Sequence, residues 1–168
     1  MNSKKTKIKD ITNIDLYLKR IAYQIYENNN EEDNSIIIVG IEKNGEILGS
    51  KIFKILKNIS SFDLTLMSIK INKKSPTNKI LSSIDKSKCL NKNIVIVDDV
   101  LNTGRTLIYA VKYFLEIPVN KISTAVIINR NHKKFPVKAD FKGISLSTSI
   151  KEHVKVILEG SKKGIYLS

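Results

Sequence analysis

Apolar positions along this chain recur in two rhythms. Over residues 14–27, Ile14, Tyr17, Leu18, Ile21, Ala22 and Ile25 return at helical spacing, Asn13 offers a cap, and Asn28-Asn29-Asn30 ends the segment. Ile36-Ile37-Ile38-Val39, bounded by Asn34 and Gly40, is a continuous β-branched run, which predicts a strand buried on both faces in a parallel sheet. A second helix is expected after Gly45, with Leu48, Ile52, Ile55 and Leu56 on its inner face. Phe62-Asp63-Leu64-Thr65-Leu66 alternates like a half-buried strand, and the change of phase at Met67 predicts a bulge or a sheet edge there. Ile94-Val95-Ile96-Val97 repeats the buried-strand pattern. It is followed by a helix from about Arg105 to Glu116, a strand over Ile122–Ile128, and a final hairpin. The hairpin pairs Val154–Leu158 with Ile165–Leu167 around Ser161-Lys162-Lys163-Gly164. Residues 72–93 break both rhythms. They are rich in Lys, Asn and Ser, contain Pro76, and read as a long functional loop.

Buried strands alternating with helices predict an α/β fold with a mostly parallel central sheet flanked by helices. At 168 residues, with no internal repeat, the chain is expected to form one domain over residues 1–168. A core of that size needs no disulfide or metal staple. Hydrophobic residues at 42% and charged residues at 27% exclude disordered and collagen-like classes. No apolar run approaches the ~18–20 residues of a membrane span, so no membrane partner is expected. Met1-Asn2-Ser3-Lys4-Lys5 leads into no signal-peptide core, and residues 1–12 read as a basic tail. The lone Cys89 fits a reducing compartment as a buried inert thiol, so a cytoplasmic protein is expected. The net charge of +13 comes from 26 lysines and only Arg20, Arg105 and Arg130. Such an excess hints at a polyanion, yet lysine makes point-charge contacts rather than the bidentate fork of specific nucleic-acid readout.

The stretch that carries chemistry is Ile94-Val95-Ile96-Val97-Asp98-Asp99-Val100-Leu101-Asn102-Thr103-Gly104-Arg105-Thr106. It reads as a buried strand ending in two carboxylates, then a polar turn, then a helix start, and ligands in α/β sheets sit beyond the carboxyl ends of strands. The turn Asn102–Thr106 would present backbone N–H groups and two threonine hydroxyls to an anion such as a phosphate. Asp98 and Asp99 can accept hydrogen bonds from vicinal hydroxyls or lie near a hard cation. A phosphate with a cis-diol a few ångströms away is a ribose 5-phosphate. The plainer alternative is a helix cap on a solvated turn.

These residues resemble the signature of the type I phosphoribosyltransferases, which bind 5-phosphoribosyl-1-pyrophosphate (PRPP). More narrowly they are similar to the pyrimidine-operon attenuator / uracil phosphoribosyltransferase family. Its pattern V-D-D-V-L-Y-T-G-R-T matches Val97–Thr106 with Asn102 in place of Tyr. A second block, Ile128-Asn129-Arg130-Asn131-His132-Lys133-Lys134-Phe135-Pro136-Val137-Lys138-Ala139-Asp140-Phe141-Lys142-Gly143, follows V-D-R-G-H-R-x-L-P-I-x-A-D-Y-x-G. Val39-Gly40-Ile41-Glu42-Lys43-Asn44-Gly45 stands where the family has V-G-I-K-T-R-G, its pyrophosphate loop.

The resemblance implies the type I phosphoribosyltransferase fold, with a small hood over residues 129–150 and the C-terminal hairpin. It implies that Asp98 and Asp99 hold the ribose hydroxyls, that Leu101, Asn102, Thr103, Gly104, Arg105 and Thr106 hold the 5-phosphate, and that Asp98, Asp99 and Arg105 serve catalysis. Lys43, Asn44 and Gly45 would face pyrophosphate, with Gly45 allowing close backbone approach. Residues 71–93, with Lys73 and Lys74, would be a flexible lid, and Arg130 and His132 would line the base pocket or form a basic surface loop. The implied cofactor is Mg2+ held mainly through PRPP, without a direct protein metal site. The implied substrates are PRPP and a nucleobase, uracil first. By the same resemblance RNA is a partner, on a face including Lys19, Arg20 and Tyr23, and the assembly is a homodimer or higher homo-oligomer. Activity on a purine base or orotate, and a purely regulatory RNA-binding role, remain the alternatives.

The chain departs from the family in three places. Lys70-Ile71-Asn72-Lys73-Lys74-Ser75-Pro76 stands in place of the lid's D-I-T-L-Y-R-D-D, Asn44 replaces an arginine, and Asn129 and Asn131 replace Asp and Gly. Gly40, Gly45 and Gly49-Ser50-Lys51 superficially suggest a nucleotide-binding P-loop, but Glu46 stands where its lysine is needed. His132 and His153 have no Cys or carboxylate at metal-ligand spacing.

Overall fold

The computed structural model describes residues 6–29, 35–72, 74–130, 132–147, 149 and 152–168. Its central sheet has the order β4-β3-β2-β5-β6-β7. The strands are β2 (Ser35–Ile41), β3 (Asp63–Lys70), β4 (Leu81–Ser82), β5 (Asn93–Leu101), β6 (Lys121–Asn129) and β7 (Phe141–Ser145). All pair in parallel except β4, which runs antiparallel along the end of β3. Helices α1 (Ile11–Asn28) and α2 (Asn44–Ile59) cover one face, and α3 (Arg105–Leu115) covers the other. A second sheet of order β1-β9-β8 joins β1 (Thr6–Lys9) to the hairpin of β8 (Val154–Ile157) and β9 (Gly164–Leu167). The mostly parallel α/β architecture is the expected one.

The β-branched runs lie where burial on both faces demands them. Ile36, Ile38, Val95 and Val97 join the core under α1 and α2, while Ile37, Val39, Ile94 and Ile96 join the core under α3. The same two-sidedness explains Met67. The β2–β3 register is unbroken from Ser35↔Asp63 to Ile41↔Ile69, so there is no bulge, but β4 pairs only with Ile69 and Lys70, so at Met67 β3 is the expected sheet edge. Leu64 faces the α2 side while Met67 and Ile69 face the α3 side, and a strand with apolar residues on both faces has no single phase.

Four other expectations change. Helix α1 is capped by Asp10, and Asn13 supplies the other half of a capping box, each side chain accepting the other's backbone N–H. The supposed basic tail contains β1 and the start of α1, with residues 1–5 outside the described set. The run 72–93 contains β4 and a 3-10 turn over Lys86–Cys89, and Cys89 is fully buried against Met67. Burial, and secondarily nearby Asp85, push the Cys89 thiol up, which fits an inert buried thiol. Within the region read as a hood, β7 is a strand of the main sheet, and Gly143 there lets Tyr17 of α1 approach, since a Cβ would lie 2.9 Å from Tyr17 Cβ. No described helix is long and apolar enough to cross a membrane.

Candidate functional site

Strand β5 does not end at its carboxylates. It continues past Asp98 and Asp99 to Leu101, because Val100 and Leu101 still pair with Ile128 and Asn129 of β6. The two acids are therefore fixed by a strand backbone at the carboxyl edge of the sheet. Asp98 is 5% exposed, and its Oδ1 accepts the Asp99 backbone N–H at 2.9 Å. Asp99 is half-buried, and its Oδ2 accepts from Asn44 Nδ2 at 2.7 Å.

A cavity of about 410 Å³ opens over these acids, lined by Ile41, Glu42, Lys43, Asn44, Lys70, Ile71, Asp98 and Asp99. That volume lies within the usual range for small-ligand sites. Lys70 and Glu42 form an exposed ion pair of 3.2 Å at its edge. Lys43 has φ +69° and ψ −110°, a strained conformation for a side-chain-bearing residue, and it turns the chain into α2. Gly45 lies two residues further on, in the first turn of α2. A Cβ there would lie 2.5 Å from the Val97 carbonyl oxygen, so glycine is required by the strand behind it, independently of any ligand in front.

Beside the cavity lies a cradle of about 50 Å³, formed by Asp98 and residues 100–107. Gly104 is the N-cap of α3 at φ +82° and has no side chain to satisfy the first-turn amides. Ile108 N–H bonds back to the Gly104 carbonyl at 2.9 Å, so the amides before it have no intrahelical partner. Arg105 N–H makes a long 3.3 Å bond to Thr103 Oγ1. Unpaired amides at a helix N-terminus, with hydroxyls at hand, suit an anion. The segment after β6 braces this turn from behind. Lys134 and Phe135 N–H donate to the Thr103 carbonyl at 2.8 and 3.2 Å, and Val137 lies where a Gly104 side chain would go. No sequence pattern marks this role for residues 134–137, because its hydrogen bonds are made by backbone and the Val137 contact is with a glycine far along the chain.

The other candidate residues are dispersed. Arg130 is 3% exposed and lines neither the cavity nor the cradle; its guanidinium donates to the Ser149 and Glu152 carbonyls at 3.0 and 2.7 Å. It fastens a loop, so a basic surface role is corrected for this residue. His132 also lines neither. Arg20 donates to the Gly143 and Lys142 carbonyls and lies over the Tyr17 ring, tying α1 to β7, while Lys19 and Tyr23 are exposed on α1. Lys74 is exposed, with its backbone N–H on Asn72 Oδ1 at 3.0 Å; Lys73 lies outside the described residues.

A larger cavity of about 610 Å³ lies elsewhere, between residues 76–86 and α3. Of its charged lining residues, Lys86 and Glu116 are paired with each other, and Lys79, Asp85 and Lys112 line it as well. Lys86 bonds Glu116 at 2.6 Å and lies over the Tyr113 ring, Tyr113 donates to Ser82 at 3.2 Å, and Asp85 accepts the Ser87 N–H. Size alone does not make it the site; the unsatisfied amides and aligned carboxylates are at the end of β5.

Comparison with known proteins bears on the family and the fold. The family described as phosphoribosyl transferase domain matches residues 5–159. The bifunctional protein PyrR of Leuconostoc citreum is 33% identical over 149 residues, covering 84% of this chain and 85% of its own length. That of Fusobacterium nucleatum is 35% identical over 150 residues, covering 84% of each. Among solved structures, a hypoxanthine-guanine phosphoribosyltransferase from Bacillus anthracis superposes with a TM-score of 0.75, covering 96% of this chain and 95% of its own at 16% identity. A hypoxanthine phosphoribosyltransferase from Staphylococcus aureus gives 0.71, covering 89% and 85% at 20% identity. At these identities the solved structures bear on the fold alone.

Proposed function

Because the chain belongs to the phosphoribosyl transferase domain family, among its PyrR-like members, we propose that it binds PRPP and transfers the phosphoribosyl group to uracil, giving UMP and pyrophosphate. The observation that carries this reading is that Asp98 lines both the 410 Å³ cavity and the 50 Å³ cradle. One ligand can therefore place a phosphate on the α3 amides, a diol on the two carboxylates, and its remaining charge against Lys43 and Lys70.

In this mechanism the cradle residues 101–106 fix the 5-phosphate, and Asp98 and Asp99 accept the ribose hydroxyls. The bond from C1 to pyrophosphate breaks as a ring nitrogen of the base bonds to C1 and gives up its proton, which the departing pyrophosphate or solvent takes, through a transition state with oxocarbenium character. The protein's part is to hold C1 in line between the two groups and to stabilise the departing charge. Magnesium fits the donor set: Glu42, Asp98 and Asp99 put carboxylate oxygens around the cavity. Among the described residues no group of three or more His, Cys, Asp or Glu is arranged to hold a metal unaided, so the ion would be held mainly by PRPP, with Asp98 and Asp99 reaching it directly or through water. When bound, it neutralises the leaving group. Lys74 and the residues around it would close over the cavity as a lid, and the protein would act as a cytoplasmic homodimer or larger homo-oligomer.

The test is pyrophosphate release from PRPP and magnesium with uracil, hypoxanthine, guanine and orotate supplied separately. Release with uracil alone is expected. Release only with a purine or with orotate would replace uracil, and silence with every base would remove the enzymatic reading.

A second reading rests on the surface. The +13 charge and the exposed Lys19 and Tyr23 on α1 favour an RNA-binding regulator of pyrimidine genes that uses the same pocket as a nucleotide sensor. Lysine contacts to phosphate make such binding fall steeply with salt. A pyrimidine leader RNA is expected to bind more tightly than a scrambled RNA at moderate salt; equal binding would end this reading.

A further inference from the structure

Asn44 stands at the first position of α2, at the meeting point of three elements. Its side-chain nitrogen donates to Asp99 Oδ2 at 2.7 Å and to the Val156 carbonyl of β8 at 3.0 Å. A carboxamide nitrogen carries two hydrogens, so both are committed within the protein. Nothing is left on that nitrogen to donate to pyrophosphate. Its seat is rigid as well: the strained turn at Lys43 aims the residue, and Gly45 presses the backbone behind it against Val97. Val156 is buried in the core shared with α1 and α2, so its carbonyl is a fixed anchor.

We propose that Asn44 is a positioning residue, acting through Asp99 rather than on pyrophosphate, and that it fastens the C-terminal hairpin to the ribose-binding edge of the site. This rests on the reading of Asp98 and Asp99 as the ribose-binding pair. An ionised carboxylate offers about four lone-pair directions. Asn44 takes one on Oδ2 and leaves the others to the ribose hydroxyls, so its bond orients the carboxylate without competing with the ligand. Losing it frees Asp99 to rotate and leaves the Val156 carbonyl without this donor.

Two ligands separate the possibilities. PRPP and UMP share the ribose hydroxyls and 5-phosphate, but only PRPP carries pyrophosphate. A residue acting through Asp99 affects both; a residue touching pyrophosphate affects PRPP alone. The experiment is equilibrium titration of PRPP with magnesium, and of UMP, into the full chain and into Asn44→Ala. Asn44→Asp, which keeps the shape but places a carboxylate against Asp99, serves as the second variant should the alanine form fail to fold. For Asn44→Ala both affinities are expected to fall by about tenfold, the scale of one hydrogen bond to a charged group, and for Asn44→Asp by more. Thermal unfolding midpoints should fall by no more than the few degrees expected for losing the hydrogen bond to the hairpin, and turnover at saturating PRPP should change less than KM for PRPP. Loss confined to PRPP would overturn the proposal in favour of a pyrophosphate contact. Unchanged affinity for both ligands would overturn it outright. If the unsubstituted chain binds neither ligand, it is the assignment of the pocket that fails, and the proposal falls with it.

Discussion

The ribose-phosphate side of the cleft is made mainly of backbone, whereas the pyrophosphate side is made of side chains. On the first side, β5 holds Asp98 and Asp99 by pairing with β6, and the cradle consists of first-turn amides of α3 with Gly104 at their head. On the second, the charge available to a ligand belongs to Lys43, Lys70 and Lys74, all exposed, one of them already paired with Glu42. Backbone donors are set once the fold forms and lose no side-chain entropy on binding. Long lysines must be ordered each time, and their charge is screened by salt. The two sides should therefore respond to substitution on different scales.

The largest effect is expected where fold and chemistry coincide. Replacing both carboxylates, Asp98→Asn with Asp99→Asn, should lower turnover by about a thousandfold or more, the scale seen when groups preorganised for a transition state are removed. The fold should persist, because an asparagine oxygen at position 98 can still accept the Asp99 N–H. Pyrophosphate release and a thermal melt on the same sample check both halves. Turnover within tenfold of the unsubstituted protein would remove these acids from the mechanism.

Next comes Gly104→Ala. The residue sits at φ +82°, and an added Cβ would lie 2.6 Å from Val137 Cγ1, so backbone strain and a clash act together. A loss of ~1–3 kcal/mol in unfolding free energy is expected, along with weaker binding of both PRPP and UMP. Adding Val137→Ala should relieve the clash but not the backbone strain, recovering only part of the loss in chemical denaturation. Full recovery would mean that φ at this position costs little.

The same division explains what could be read from the sequence. The β-branched strands, the amphipathic helices and the carboxylate-turn-helix stretch are local patterns, and the fold class and the heart of the site follow from them. What escaped depends on backbone partners far along the chain. Strand β1, four residues long, forms because β9 is there to pair with it. Strand β7 interrupts its apolar pattern with Lys142 and Gly143 yet completes the sheet beside β6. Arg20 is exposed, as a surface cation should be, while Arg130 is buried; both also donate to carbonyl oxygens, which have no signature in sequence. The carboxylates seemed to end β5 because acids usually interrupt a buried run, whereas the ladder to β6 carries the strand through them.

Smaller effects belong to the side-chain half. Lys43→Gln and Lys70→Gln should each raise KM for PRPP only a few-fold, as expected for exposed point charges, and should leave UMP affinity nearly unchanged because UMP has no pyrophosphate. The effect should shrink as salt is raised. A loss as large as that for the paired carboxylates, or one shared equally with UMP, would show that the two sides of the cleft are not separable in this way.

The smallest effect is expected where the segment beyond the cleft is tied down, at Lys86 and Glu116. The 2.6 Å bond from Lys86, together with that lysine's charge, holds the Glu116 carboxyl below its ordinary value of 4.5. A carboxyl depressed in the folded state stabilises the fold above its unfolded value, and that stabilisation is lost as pH falls through the folded one. Glu116→Gln should therefore unfold at a slightly lower temperature than the unsubstituted protein at pH 7, and the gap should close as the solution is taken well below pH 4.5. Because Glu116 is exposed, solvent screens the pair and the gap should be small even where it is largest. The absence of any gap at pH 7 would mean that the Lys86 ammonium over the Tyr113 ring, and not the ion pair, fixes this segment to α3, whereas a gap that persisted undiminished in acid would mean that the carboxylate's charge is not its source.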